Sequence, residues 1–351
     1  MRKQIIRFGI DKLKVCCTQE DNWLQQTIIN AFNAPANQSA LATSDLTKKP
    51  KLYIPISNDV TLVLNQDKEF IDRNTWCGSV ELTCAGKTTT FLDEIEIHAH
   101  QKGDDYKDYT FLTMDNRWLY QEGWTDRLVY VMGLLRLRFH NFSTMEVHCT
   151  SVGLNFVDRI NRKRREKGIV VVSLKKDYKG NERVDGLGKW LRQTAIGSDL
   201  SSPTLYIDTA KKDLRAKAYN KTVEMNEQNP NKIAYVKDWM HGYKGTLHRL
   251  EVTLTNPRIK PLLQAYYSNT QLSSLVASNT ILNILEDDNL LRFLWLSAIH
   301  TLLHFKRGRK QQDWLEDVIR IDKCIVLTSN RSNTDNNLCN VRYITIPPDN
   351  V

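Results

Sequence analysis

The sequence predicts an α+β fold: an antiparallel sheet with packed helices, followed by a mainly helical C-terminal part. Two observations carry this prediction. Several stretches alternate with a period of two, the strand signature, because successive side chains leave opposite faces of a sheet. In one, Leu214, Ala216 and Ala218 oppose Arg215, Lys217, Tyr219 and Lys221; in another, Leu250, Val252 and Leu254 oppose Arg249, Glu251 and Thr253. Beyond Asn256 the texture changes, and segments around Ile259 to Tyr267, Leu272 to Leu285, Leu290 to Phe305 and Gln311 to Ile321 have helical spacing. A boundary near Asn256-Pro257 divides the 351 residues into expected domains 1–256 and 257–351.

Taken in order, Phe8 to Cys17 reads as the first strand and Asn22 to Phe32 as an amphipathic helix, followed by a polar loop through Pro50. Leu52 to Ile56 and Val60 to Leu64 form an expected hairpin around Ser57-Asn58-Asp59, a turn-rich trio. Ser79 to Cys84 is another strand. In Asp93 to His100, Ile95, Ile97 and Ala99 share one face while Glu94, Glu96, His98 and His100 share the other. Thr125 to Arg138 spaces Leu128, Val131, Leu134 and Leu135 for burial on a helix. Thr144 to Thr150 alternates again, with Met145, Val147 and Cys149 inward and Glu146 and His148 outward. Asn155 is placed to cap a basic helix that ends at Gly168. Ile169 to Leu174 is an apolar strand, and Lys175 to Asp199 a long loop rich in Gly and charge. Near the end, Cys324 to Thr328 and Val341 to Ile346 form an expected hairpin.

Composition narrows the function. The formal charge of +9 points to an anionic partner, with nucleic acid the commonest choice. Seven cysteines with no Cys-x-x-Cys pair fit neither a zinc ribbon nor a disulfide scaffold, so a reducing, cytoplasmic setting is expected. The opening Met-Arg-Lys-Gln-Ile-Ile-Arg-Phe is too short an apolar run for a signal peptide. Leu290 to Phe305 is interrupted by Arg292, His300 and His304, which makes it a core helix rather than a membrane span. Cys84-Ala-Gly-Lys-Thr lacks the first glycine and spacing of a phosphate-binding loop, so an ATPase reading has little support.

Three sets of residues bear chemistry. Tyr219 lies among Arg215, Lys217 and Lys221, and a phenol beside cations can attack phosphorus and hold the phosphate covalently. The alternative is a strand whose polar face is simply solvated. Glu96, His98, His100, Glu146 and Glu251 are oxygen and imidazole donors on strand faces, the ligand types a divalent ion such as Mg²⁺ or Mn²⁺ takes. Arg159, Arg162, Lys163, Arg164 and Arg165 make a basic helix with no i,i+4 acidic partners, better suited to phosphates than to a solvated face. Arg215 and Lys217 are further candidates for phosphate contact. Tyr266-Tyr267, within an apolar helical segment, reads as core packing.

The run Ala-Tyr-Asn-Lys-Thr-Val-Glu, with Tyr219, Lys221 and Glu224, and the later Arg249-x-Glu251 strand resemble rolling-circle replication initiators of the replication initiation factor type. They are also similar to the replication endonuclease of filamentous phages. Ile10-Asp11 looks like the family's first strand and Ile95-Glu96-Ile97 like a middle one, so the resemblance runs thinly from residue 8 to about 260. His98-Ala99-His100 is nearer the His-hydrophobe-His pattern of another nickase group. Met145-Glu146-Val147-His148 stands where the family usually carries Arg-x-Asp.

The resemblance implies a modified palm-like antiparallel sheet and a metal-dependent nickase acting at a plasmid or phage origin, single- and double-stranded. Tyr219 would be the nucleophile, forming a 5′-phosphotyrosyl link and a 3′-OH primer, and Lys221 would stabilise charge on the phosphate. A homodimer and the host helicase and polymerase are the implied partners, with no membrane. The alternatives are a conjugative relaxase or transposase of the same chemistry, or a non-catalytic origin-binding initiator or repressor.

Overall fold

A computed structural model describes residues 5–35, 51–65, 75–98, 109–174, 183–184, 191–196, 199–208, 213–243, 245–277, 280–312, 314–315, 324–328 and 340–344. The N-terminal part comprises strand β1 (Ile5–Gln19), helix α1 (Trp23–Asn33), β2 (Lys51–Pro55), β3 (Val60–Asn65), β4 (Thr75–Cys84), β5 (Lys87–His98), β6 (Tyr109–Met114), α2 (Trp124–Leu134) and β7 (Leu137–Val152). There follow α3 (Phe156–Arg165), β8 (Ile169–Ser173), β9 (Arg183–Val184), β10 (Leu191–Ile196), β11 (Asp199–Ile207), β12 (Leu214–Asn220), α4 (Lys221–Glu227), α5 (Ile233–Trp239) and β13 (Leu247–Thr255). The remainder is α6 (Asn256–Tyr266), α7 (Asn269–Ala277), α8 (Asp288–Leu302), β14 (His304–Arg307), β15 (Lys310–Gln312), β16 (Cys324–Thr328) and β17 (Asn340–Ile344). The fold is therefore α+β with an extensive antiparallel sheet, the class expected from alternation.

Two compact units divide the chain. The first comprises residues 1–11, 145–272 and 285–351, the second residues 12–144 and 273–284, so the long strands β1 and β7 each give one half to each unit. In the first unit the strand order runs β10-β11-β12-β13 and on to β7 and β1, with a separate sheet β15-β14-β8-β9 and the hairpin β16-β17. Its core is built on α8, where Leu290, Leu294, Trp295 and Ala298 are wholly buried. The Trp295 indole N–H donates to the Leu250 carbonyl on β13 at 2.7 Å, satisfying a polar group that burial would otherwise strand. In the second unit the order is β7-β1-β6-β5-β4-β3-β2. The β4–β5 hairpin turns at Ala85-Gly86, both with positive φ, as a tight two-residue turn requires.

Several local expectations are corrected. The helix expected to reach Arg138 stops at Leu134, because Arg136 takes a left-handed φ of 52° and β7 begins at Leu137. Inside the expected loop 175–199, Leu191–Ile196 pairs antiparallel with β11. The helix expected through Phe305 ends at Leu302, and His304–Arg307 pairs with β8. In the helix expected over Gln311 to Ile321, Gln311 belongs to β15, while residues 313 and 316–321 lie outside the described residues. Strand β6 was not foreseen. The expected terminal hairpin is present as β16 with β17. Residues on both sides of Asn256-Pro257 belong to the first unit, where β13 runs directly into α6 with proline in the first helical turn, a position that needs no N–H. No helix among the described residues is long and apolar enough to cross a membrane.

Candidate active site

Strands β12 and β13 pair antiparallel with Tyr219 opposite Arg249, Lys217 opposite Glu251 and Arg215 opposite Thr253. The apolar face is as expected, since Leu214, Ala218, Leu250, Val252 and Leu254 are all fully buried. The polar face differs from the expected open floor. Tyr219 is only 4% exposed, and Arg249 and Glu251 are buried at 0% and 1%. Alternation showed which face is apolar, but not that packing covers the other.

The Tyr219 hydroxyl donates to Glu251 Oε2 at 3.1 Å, and Lys217 Nζ lies 2.9 Å from Glu251 Oε1. Lys217 Nζ also stands 5.3 Å from the Tyr219 ring centroid. Alongside, Arg215 reaches Glu146 at 3.7 Å and donates to Thr253 Oγ1 at 3.2 Å. Burial raises the Glu251 carboxyl to about 6, against the pull of Lys217. Burial, then the Glu251 charge, holds the Tyr219 phenol well above its ordinary value. Burial opposes the charge on Lys217, but Glu251 outweighs it and raises the ammonium above its ordinary value.

Behind this face lies a layer of buried charge. The strand pattern that placed Lys221 beside Tyr219 stops one residue early: Asn220 caps α4, its side chain accepting from the Val223 N–H at 3.1 Å, and Lys221 is the first helical residue. Lys221 is fully buried, 2.7 Å from Glu224 and 4.0 Å from Asp11, with Nζ 5.8 Å from the Tyr219 ring centroid. Burial first, then Arg249, lowers its ammonium to about 8. Arg249 pairs with Asp11 at 3.0 Å and donates through Nε to Thr150 Oγ1 at 2.9 Å. Thr150 Oγ1 in turn lies 3.0 Å from His148 Nδ1. Burial would raise the Asp11 carboxyl, but Arg249, Lys221 and Lys232 outweigh it and hold it well below the usual carboxylate range.

His148, expected outward, is fully buried against the edge of the Trp239 ring, and burial followed by Arg249 keeps it neutral. Gly9 makes room for both rings, since a Cβ there would sit 2.9 Å from Trp239 and 3.0 Å from His148. Sequence reasoning missed Asp11, Thr150 and Lys232 as site residues. The available signal was Asp11 itself, the one acidic residue of β1 beside Arg7, Lys12 and Lys14.

The candidate metal ligands do not form one set. Glu96 and His98 belong to the second unit, where Lys14 lies 2.9 Å from Glu96 Oε1 and His98 Nε2 is 3.8 Å from Glu96 Oε2. His100 lies outside the described residues. Glu146 and Glu251 belong to the first unit and carry the cationic partners given above. Among the described residues no three His, Cys, Asp or Glu side chains converge as metal ligands. In this arrangement the two Glu251 oxygens are taken up by Lys217 and Tyr219.

On α3, Phe156, Val157 and Ile160 are buried while Arg162 and Arg165 are exposed. Arg159 turns inward to the Trp314 carbonyl. The expected lack of i,i+4 acidic partners does not hold, since Asp158 and Glu166 each stand four residues from Arg162, and Lys163 also pairs with Glu166 at 3.1 Å.

No family model and no curated protein matches the chain. Among solved structures, it is similar to a rolling circle replication initiator protein from Geobacillus stearothermophilus, at 12% identity and a TM-score of 0.37, covering 88% of this chain and 89% of the other.

Proposed function

We propose that the chain is a tyrosine nickase that initiates rolling-circle DNA replication, with Tyr219 as nucleophile. The observation that carries this reading is the 3.1 Å hydrogen bond from Tyr219 to Glu251, with Lys217 on the other carboxylate oxygen. A phenol held well above its ordinary value is protonated at rest, so attack needs a base already in contact. Glu251, at about 6, is largely ionised at neutral pH and suits that task.

Glu251 takes the phenol proton as the Tyr219 oxygen bonds to phosphorus. The bond from phosphorus to the 3′ oxygen breaks in the same displacement, and that oxygen leaves with its electron pair and takes back the proton held by Glu251. The products are a 3′-OH primer and a 5′ phosphate esterified to Tyr219; reversal rejoins the strand. Lys217 supplies positive field at the reacting oxygen, and Lys221 acts from behind the ring rather than by contact. The resemblance at Tyr219, Lys221, Glu224, Arg249 and Glu251 supports the same assignment. The divalent ion that the resemblance implies has Glu96, His98 and His100 as its remaining candidates, and no step is routed through it. Termination needs a second cut, by a second protomer or by a second nucleophile of the same chain; a single tyrosine in the motif favours the second protomer.

The test is incubation with a supercoiled plasmid carrying the DNA that flanks the gene. Nicked circles and a covalent adduct mapping to Tyr219 are expected, and Tyr219→Phe should give neither. A Tyr219→Phe protein that nicks as well as wild type removes the nucleophile assignment. The 4% exposure of Tyr219 favours a second reading, a non-catalytic origin-binding protein. Such a protein would retain DNA in EDTA and never form an adduct.

A further inference from the structure

The positive charge of the chain is concentrated in two segments far apart in sequence. Residues 156–173 carry six Lys and Arg against Asp158 and Glu166, while residues 304–312 carry Lys306, Arg307, Arg309 and Lys310 and no acid. Ten cations against two carboxylates leave +8, where the whole chain carries +9.

The fold joins these segments. A turn at Gly168, with φ of 80°, carries the chain from α3 into β8. Strand β8 pairs antiparallel with β14, setting Ile169 opposite Arg307 and Val170 opposite Lys306. Glu166 Oε2 then ties the two elements, lying 3.1 Å from Lys163 on the helix side and 3.1 Å from Arg307 on the hairpin. At the tip, Gly308 takes a φ of 61° and leaves Arg309 and Lys310 exposed. The two carboxylates do not cancel the surface. Asp158 bonds the capping Asn155, and Glu166 is used as the tie.

The chemistry of the partner follows from what this surface lacks. Single-strand binders rely on aromatic side chains on which bases stack. Phe156, Phe305 and Trp314 are all buried, and among the described residues no aromatic is exposed on α3 or the hairpin. A surface of guanidinium and ammonium groups on a helix and an adjoining hairpin suits the phosphates of a double helix.

We infer that α3 and the β14–β15 hairpin form one duplex-DNA-binding surface, with Arg162 and Arg165 on the helix and Arg309 and Lys310 on the hairpin contacting phosphates. The inference deepens the DNA-binding part of the proposed function and rests on it. It also adds a hairpin that the sequence did not single out.

The experiment measures Kd for a duplex of arbitrary sequence against salt concentration, for wild type and the double variant Arg309→Gln/Lys310→Gln. Each phosphate contact contributes about 0.9 to the log–log slope, so two lost contacts shrink the change in Kd between 50 and 200 mM salt by about twelvefold. Arg162→Gln/Arg165→Gln should give a similar reduction, and combining the pairs should add them. Circular dichroism and melting temperature should stay at the wild-type values, because these side chains are exposed. A hairpin variant with the wild-type slope overturns the inference. So does an equal loss on a single-stranded oligonucleotide, which would make the surface a general polyanion site. Adduct formation at Tyr219 is read separately on single-stranded DNA. Duplex binding that responds while no adduct ever forms would sink the nickase and leave this surface standing.

Discussion

Replacing Asp11 by asparagine removes the one carboxylate that Arg249, Lys221 and Lys232 share, at 3.0, 4.0 and 3.9 Å. Arg249 and Lys221 are both fully buried, so water cannot take over the role of the lost charge. Removing one partner of a buried pair costs about 3–5 kcal/mol, mostly as the penalty for the cations left behind. In a chain of this size that is roughly 6–10 °C of melting temperature, at about 2 °C per kcal/mol. Glu224 still neutralises Lys221 at 2.7 Å, which places the expected loss nearer the lower figure. A second signature is pH. The Asp11 carboxyl is held well below its ordinary value in the fold, so its contribution is complete above the ordinary carboxylate range and is lost as pH falls through the depressed value. The wild-type advantage over Asp11→Asn should therefore be full at neutral pH and disappear in strong acid. Thermal and urea unfolding from pH 7 down to pH 2 would measure it. A difference below about 1 kcal/mol at pH 7, or one independent of pH, would refute the idea that Asp11 neutralises this layer.

Glu251 carries the opposite sign. Its pKa rises from an ordinary 4.5 to about 6, so its contribution is favourable below the ordinary value and is lost as pH rises through the folded one. That is roughly 2 kcal/mol across the window, so Glu251→Gln should flatten the pH dependence while lowering nicking about 10²-fold or more. Wild-type nicking rates should decline below about pH 6 as the base is protonated. Tyr219→Phe leaves Glu251 Oε2 without its donor and should cost about 1–3 kcal/mol, read by urea midpoint. Gly9→Ala drives a methyl against Trp239 and His148 and should cost about 1–3 kcal/mol, with tryptophan fluorescence reporting the displaced ring. If the ion implied by the family resemblance acts, EDTA should abolish nicking and Mg²⁺ or Mn²⁺ should restore it. An undiminished rate in EDTA would remove the metal from the expectation.

Much of the sheet was legible because its strands are one-sidedly apolar: β5, β7, β12 and β13 all announce themselves by alternation. What alternation does not carry is the fate of the second face. On β13 both faces are buried, and Arg249 and Glu251 are tolerated there because Asp11, Lys217 and Tyr219 compensate them from other elements. Such partners come from positions 32 to 238 residues away and leave no local trace. Lys221 was misplaced for a different reason. The period of two runs on through Asn220 in the sequence, but asparagine before Lys-Thr-Val-Glu is also a helix start, and the cap wins. The β14–β15 hairpin was hidden by the apolar spacing of α8, which masked the turn signal of a glycine between arginines.

The pairing of Asp11 with Arg249 has a consequence in time. The two residues are 238 positions apart, and a ribosome adding about 5–20 residues per second needs roughly 12–48 s to span that interval. Residues 12–144, the larger part of the second unit, are complete well before Arg249 exists. The opening segment of β1 must meanwhile wait with its aspartate unneutralised, and closing so long a loop is a slow step in any fold rich in distant contacts. Tyr219 itself emerges 32 residues before Glu251. On the proposed assignment, Tyr219 is thus made ahead of its base Glu251, and cutting has to await the docking of β13.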